Sequence, residues 1–235
     1  MTDGGAKASG IGGLAEDTTG FGEIEWRTGR DLLLRPREVL DAYQAAGPTG
    51  GGRYARPFRF YLALCGVLMF YLFLVGGTRS WVQGMPPALL DPAIAFSGKT
   101  REAFINDADG WLSLAVTPVL AMFYALALVP AIKRWGRTDW RLAFRGTWTL
   151  LCAWTVPMLP VGPLPYVPGF ALPVSILIHA LLVVGFVRMG RDRWWTTRWQ
   201  AAWKSAVILI LIQIGVIVGT IPVTAIVLLG GIYGS

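Results

Sequence analysis

RYARPFRFYLALCGVLMFYLFLVGGT, Arg53 to Thr78, decides the fold. Three arginines, Arg53, Arg56 and Arg59, run into about 20 apolar residues, and at about 1.5 Å per helical residue such a run crosses a hydrocarbon core of about 30 Å. Basic side chains are retained on the cytoplasmic side of a membrane. The first half of the stretch therefore reads as a cytoplasmic anchor that sets the direction of every later crossing.

Working outward, 54% of the 235 residues are hydrophobic and only 15% are charged, more apolar than an ordinary soluble domain. A polytopic membrane protein is the expectation. The net charge of +7 raises nucleic acid as a partner, but the basic residues lie between apolar runs, where the retention of positive charge already accounts for them. No nucleic acid is expected. Cys65 and Cys152 fall inside apolar runs as small buried hydrophobes, and with a single histidine they do not make a four-ligand zinc site. No metal and no cofactor are expected.

Upstream, residues 1–22 read as a disordered cytoplasmic tail with too few large apolar groups to offset the entropy of ordering. They contain no apolar signal-peptide core, so the first span is expected to act as the insertion signal. Residues 23–52 form an amphipathic interfacial segment and linker. Pro36 suits a first helical turn, Val39, Leu40 and Tyr43 then share one face, and Arg37, Glu38, Asp41 and Gln44 cover the other. With Trp26 and Leu32 to Leu34 this predicts one or two short helices, either lying on the membrane surface or packed against the cytoplasmic ends of the spans. The linker AAGPTGGG, Ala45 to Gly52, lacks the GK[ST] ending of a phosphate loop and is assigned no nucleotide.

Downstream, residues 53–235 form the membrane domain, with apolar segments at about 60–77, 111–132, 146–161, 172–187 and 205–232. The fold class is all-α: a five-span helical bundle. Lys133, Arg134, Arg137, Arg141 and Arg145 separate the second and third segments, and Arg188, Arg191, Arg193, Arg198 and Lys204 the fourth and fifth, while the alternate connections are balanced or uncharged. This places the N-terminus in the cytoplasm and the C-terminus outside. Trp81 and Trp111 then mark the outer surface, and Trp135, Trp140, Trp194, Trp195, Trp199 and Trp203 the inner one. The stretch Arg191 to Lys204 is expected to form a basic, aromatic interfacial helix. Arg53, Arg56, Arg59, Arg191, Arg193, Trp194, Trp195, Arg198 and Trp199 are candidates for contact with anionic lipid headgroups, the alternative being a topology signal without lipid specificity.

LLLRPREVLDAY, a linker, and then GRYARPFRFYL resemble an uncharacterised bacterial membrane family in which an RP…Y amphipathic segment precedes a G-R-Y…P-F-R-[FL]-Y first span. The likeness covers about residues 28 to 75. Five spans with the N-terminus inside are also similar in topology to the Yip superfamily, whose eukaryotic members act in vesicle traffic. Members of the bacterial family often begin with a zinc ribbon of paired CxxC motifs, which this sequence lacks. The resemblance implies a five-helix bundle in the bacterial cytoplasmic membrane and supplies no catalytic residue.

Polar residues within the spans are costly in hydrocarbon and mark function or packing. His179 lies near the middle of the fourth span with Ser175 one turn before it, and reads as a neutral histidine bonded within the bundle or as a proton or ligand contact. Gln213, Thr220 and Thr224 lie within about 20° of one face of the fifth span. Interhelical bonding, with Gln213 toward His179, or the lining of a polar interior is expected there, joined by Ser113, Thr117 and Tyr124 of the second span. Gly215 and Gly219 form a GxxxG expected to pack against another helix, and secondarily against a second copy.

In the long outer connection, residues 80–110, NDADG fails the calcium-loop pattern because Val116 falls where a bidentate carboxylate is needed, so Asn106 or Asp109 reads as a helix cap. Pro157 to Pro173, proline-dense and uncharged, is expected to fold back as a plug or lid. All fourteen acids lie outside the spans, and no GxSxG, HExxH or phosphate loop is present, so an enzyme is disfavoured and no catalytic residue is named. The expected function is a non-enzymatic scaffold, assembly or lipid-organising factor, with membrane lipids and a membrane protein or second copy as partners. The alternative is a small transporter, channel or lipid translocator.

Overall fold

A computed structural model describes residues 22–75, 77–162, 164 and 169–234. The expected tail lies outside them apart from Gly22, as does the centre of the proline-dense stretch. The helices in chain order are α1 (Glu23–Leu34), α2 (Pro36–Ala46), α3 (Pro57–Val75), α4 (Gly77–Gln83), α5 (Pro87–Ser97), α6 (Arg101–Gly136), α7 (Trp140–Met158), α8 (Ala171–Gly190) and α9 (Arg198–Tyr233). Among the described residues there is no strand, only an isolated bridge between Arg191 and Trp195. Helices α3, α6, α8 and α9 are long and apolar enough to cross a membrane. The chain is an all-helical, multi-pass membrane protein.

The segment before the first span is two helices packed on the bundle. Leu32, Val39, Leu40 and Tyr43 sit in the same core as α7 and α8, while Trp26 and Leu34 stay exposed. A buried polar network joins these helices to the start of α3. Thr28 Oγ1 accepts the Ala55 amide at 2.9 Å, Tyr54 Oη donates to Asp31 at 3.2 Å, and Tyr43 Oη donates to the Ala55 carbonyl. Arg30 donates to Asp31 from Nε at 3.1 Å and from Nη2 at 3.0 Å. Tyr43 of the RP…Y segment and Tyr54 of the GRY segment thus join Thr28, Asp31 and Ala55 in a latch.

Burial first, and then the nearby Cys152 and Tyr54, push the Tyr43 phenol far above its ordinary value of about 10. Its protonated form is the one the fold accepts. The contribution is complete below about pH 10, where the unfolded phenol is also protonated, and is lost as pH climbs above that value. In an alkaline series of thermal melts Tyr43→Phe should give a shallower decline than wild type above about pH 10. Equal slopes would remove Tyr43 from this role.

Helix α7 is the centre. Every residue from Gly146 to Thr155 is buried, enclosed by α1, α2, α3, α6 and α8. Thr147 and Thr149 donate back to the carbonyls of Ala143 and Arg145 at 2.9 and 2.7 Å, so their hydroxyls are satisfied inside the helix. Cys65 and Cys152 are both buried and free.

Helices α6 and α9, 36 residues each, pack side by side along their length. Gly215 and Gly219 lie against Leu120, Phe123 and Tyr124, where an added Cβ would fall 3.0 Å from Tyr124 or 2.9 Å from Leu120. The GxxxG therefore packs within the chain. Residues 80–110 are not an irregular connection: α4, α5 and the first turns of α6 bury Val82, Leu90, Phe104 and Leu112 against Val223 and Val227 of α9. Thr100, accepting the Ala103 amide, caps α6. Asn106 and Asp109 lie inside that helix, which corrects their reading as caps. Likewise, residues 191–197 form a turn and only Arg198 onward is helical, continuous with α9 instead of a separate interfacial helix.

Candidate functional site

A cavity of about 440 Å³ opens among α3, α4, α6, α7, α8 and α9. His179, Gln213, Ser175, Thr117 and Tyr124 all line it, so the polar positions expected on three spans converge on one space. His179 Nδ1 lies 2.6 Å from the Ser175 carbonyl and Nε2 lies 2.7 Å from Gln213 Nε2. A carbonyl only accepts, so Nδ1 carries the proton and donates to it. The neutral imidazole then accepts the Gln213 amide N–H at Nε2. This bond ties α8 to α9 on the cavity wall.

The remaining expected polar positions fall elsewhere. Ser113 is one step behind the wall, 2.9 Å from the hydroxyl of Thr78, which lines the cavity and also bonds Asp109. Thr220 donates to the Val216 carbonyl at 2.7 Å, and neither it nor Thr224 reaches the cavity. Tyr61, Thr78, Trp154 and Thr155 line it without having been singled out in the sequence, and Trp81, expected at the outer surface, lines it too. Trp154 is held by donation from its indole N–H to the Ile178 carbonyl at 2.8 Å. The lining contains hydroxyls, an amide and an imidazole amid aliphatic and aromatic walls, and among the described residues it contains no carboxylate, ammonium or guanidinium. Such a space, within the usual size of small-molecule sites, suits an uncharged amphipathic guest. Among the described residues no cluster of histidine, cysteine or carboxylate is placed to hold a metal ion.

The headgroup candidates divide. Arg53 lies 4.0 Å from Asp31 with its guanidinium over the Tyr54 ring, and Arg193 pairs with Asp41 at 2.9 Å. Trp194 is 2% exposed and stacked on Phe186 at 5.5 Å, so it belongs to the core and not to the membrane surface. Its position follows from the tight turn after α8, which folds the side chain back beneath the preceding helix. Trp195 is half-buried, and Arg191 lines a shallow groove between α2 and α8. Arg56, Arg59, Arg198 and Trp199 are exposed.

No protein-family model, curated protein or solved structure matches the chain. Sequence and geometry alone therefore carry the functional reading.

Proposed function

We propose that the chain is a small, non-enzymatic carrier of the bacterial cytoplasmic membrane, a transporter or lipid translocator, that receives an uncharged amphipathic molecule in the cavity at His179 and Gln213. In this reading α7 is a further crossing helix. That makes five spans, with the N-terminus in the cytoplasm and the C-terminus outside, as the basic loops require. The observation that carries the proposal is the convergence of His179, Gln213, Ser175, Thr117 and Tyr124 on one cavity of about 440 Å³. A scaffold that worked only through its surfaces has no need of a polar hollow. The hydroxyls and the rest of the Gln213 amide, which the imidazole holds in place, fit the donors and acceptors of an alcohol, ester or amide head, while the aliphatic wall fits its chain.

Release of the full chain in mild detergent, followed by native mass spectrometry, tests this. Wild type should carry a discrete small mass in excess of one tenth of the molecules, and a His179→Ala, Gln213→Ala double variant should lose about 90% of it, since two hydrogen bonds of about 0.7 kcal/mol each amount to about tenfold. A wild-type chain without any retained mass, or a double variant that retains it unchanged, defeats the carrier reading. A stoichiometric protein partner in place of a small mass would turn the reading to the scaffold. Exposed Trp26 and Leu34 on the latched α1 are the surface that favours it.

A further inference from the structure

A second concavity, of about 490 Å³, lies at the basic end of the bundle between the linker before α3, the inner part of α6 and the start of α7. We propose that this groove holds one anionic phospholipid, with its phosphate at Arg56 and Arg141 and its chains against Phe58, Val129 and Phe144. The inference is independent of the cavity at His179, which shares no residue with the groove.

The first support is the order of chemistry along α7. Arg141, Phe144, Arg145 and Trp148 recur at i, i+3, i+4 and i+7, the spacing of a single helix face, and all four line the groove. Over about 10 Å of helix that face runs from the Arg141 guanidinium at its start to the Trp148 ring, with Phe144 and Arg145 between them. A phospholipid changes in the same order, from phosphate through ester to hydrocarbon. A free phosphate would leave the apolar part of the wall uncovered.

The second support is charge without a partner. The chain has ion pairs on Arg53, Arg79, Arg101 and Arg193, yet among the described residues neither Arg56 nor Arg141 is paired with a carboxylate. Asp139, close in sequence, is occupied by the Leu142 amide at 2.8 Å as the cap of α7. Arg145 reaches the Tyr43 carbonyl at 3.4 Å, so it is partly committed to holding α2. The first turns of α3 and α7 both contribute to the groove. Lys133 Nζ lies 4.1 Å over the ring of Trp140 and brings a further cation to the rim.

The third support is an unmet donor. Trp148 is 1% exposed, boxed by Phe58, Tyr61 and Phe144 at centroid distances of 4.9, 5.1 and 5.7 Å, and its indole N–H has no acceptor among the described residues. A buried, unpaired N–H is costly and is uncommon without a reason. An ester carbonyl seated on the groove floor supplies the missing acceptor.

The test is native mass spectrometry of the full chain in neutral detergent, titrated with phosphatidylglycerol or with phosphatidylcholine of the same chains. Wild type should retain one phosphatidylglycerol in preference to phosphatidylcholine. The preference should fall by about 25-fold in Arg56→Gln, Arg141→Gln, each guanidinium contributing about fivefold. Arg134→Gln, Arg198→Gln removes equal charge outside the groove and should keep the preference. Equal loss in both double variants, or loss in neither, overturns the site. Displacement of the bound lipid by excess inorganic phosphate would overturn the phospholipid in favour of a free anion. As a measure that a mere folding defect does not reproduce, phosphatidylglycerol should raise the melting temperature of wild type and of Arg134→Gln, Arg198→Gln. It should leave that of Arg56→Gln, Arg141→Gln unchanged, and a rise there would count against the assignment.

Discussion

Gly230→Ala is expected to destabilise the protein by about 3 kcal/mol, at the upper end of what overpacking costs. A Cβ at this position would stand 2.4 Å from Cγ and Cδ1 of Trp111 and 2.6 Å from its Cβ. The last of these atoms moves only with the α6 backbone. The side chain cannot swing away, so the two longest helices must part where the end of α9 meets Trp111 of α6. Gly66→Ala is the matched control, because an added Cβ there meets nothing within 4 Å and the residue is inside α3. It should melt at or above the wild-type temperature, since alanine is the better helix former. A thermal melt of both variants in one detergent decides the matter. Equal stability of Gly230→Ala and wild type would mean that α6 and α9 do not pack as described.

Asp31→Ala should cost about 3 kcal/mol and free the α1–α2 hairpin from the bundle. The carboxylate is buried and accepts from Arg30 and Tyr54, with Arg53 at 4.0 Å. Its removal leaves the Tyr54 phenol buried without an acceptor. Burial first, and then the Asp31 charge, already hold that phenol above its ordinary range, so it stays a donor throughout the neutral range. Hydrogen exchange should rise across residues 23–46 and leave α6 and α9 unchanged. Uniform exchange across the chain would instead indicate global unfolding, and no change would show that the apolar contacts of Leu32, Leu40 and Tyr43 suffice.

Much of this was legible in the residues. Pro36 opens α2, and Val39, Leu40 and Tyr43 are its buried face, because a 3.6-residue period is a local property. The meeting of His179 and Gln213 was legible because a polar side chain in the middle of an apolar helix is satisfied by a partner on a neighbouring helix. The latch was not legible, since Asp31 and Tyr54 are 23 residues apart and Thr28 and Ala55 are 27 apart, and nothing local ties them. The helical course of residues 101–112 was hidden for a different reason. Phe104, Ile105, Ala108 and Leu112 have helical spacing, but the charges around them give the segment the average composition of a loop. Arg141 and Arg145 were read as topology signals, which obscured their place on one face with Phe144 and Trp148.

The burial of α7 bears on how the protein is made. Its threonines, tryptophans and two leading arginines make it less apolar than α3, α6, α8 and α9, and its buried middle is packed against α3, α6 and α8. In the five-span reading such a segment gains little from lipid alone. It is stable at membrane depth because α3 and α6, both synthesised before it, already offer a protein surface to receive it. The order of helices along the chain is then also an order of assembly, in which the helix inserted third depends on the two before it and α8 closes over it last.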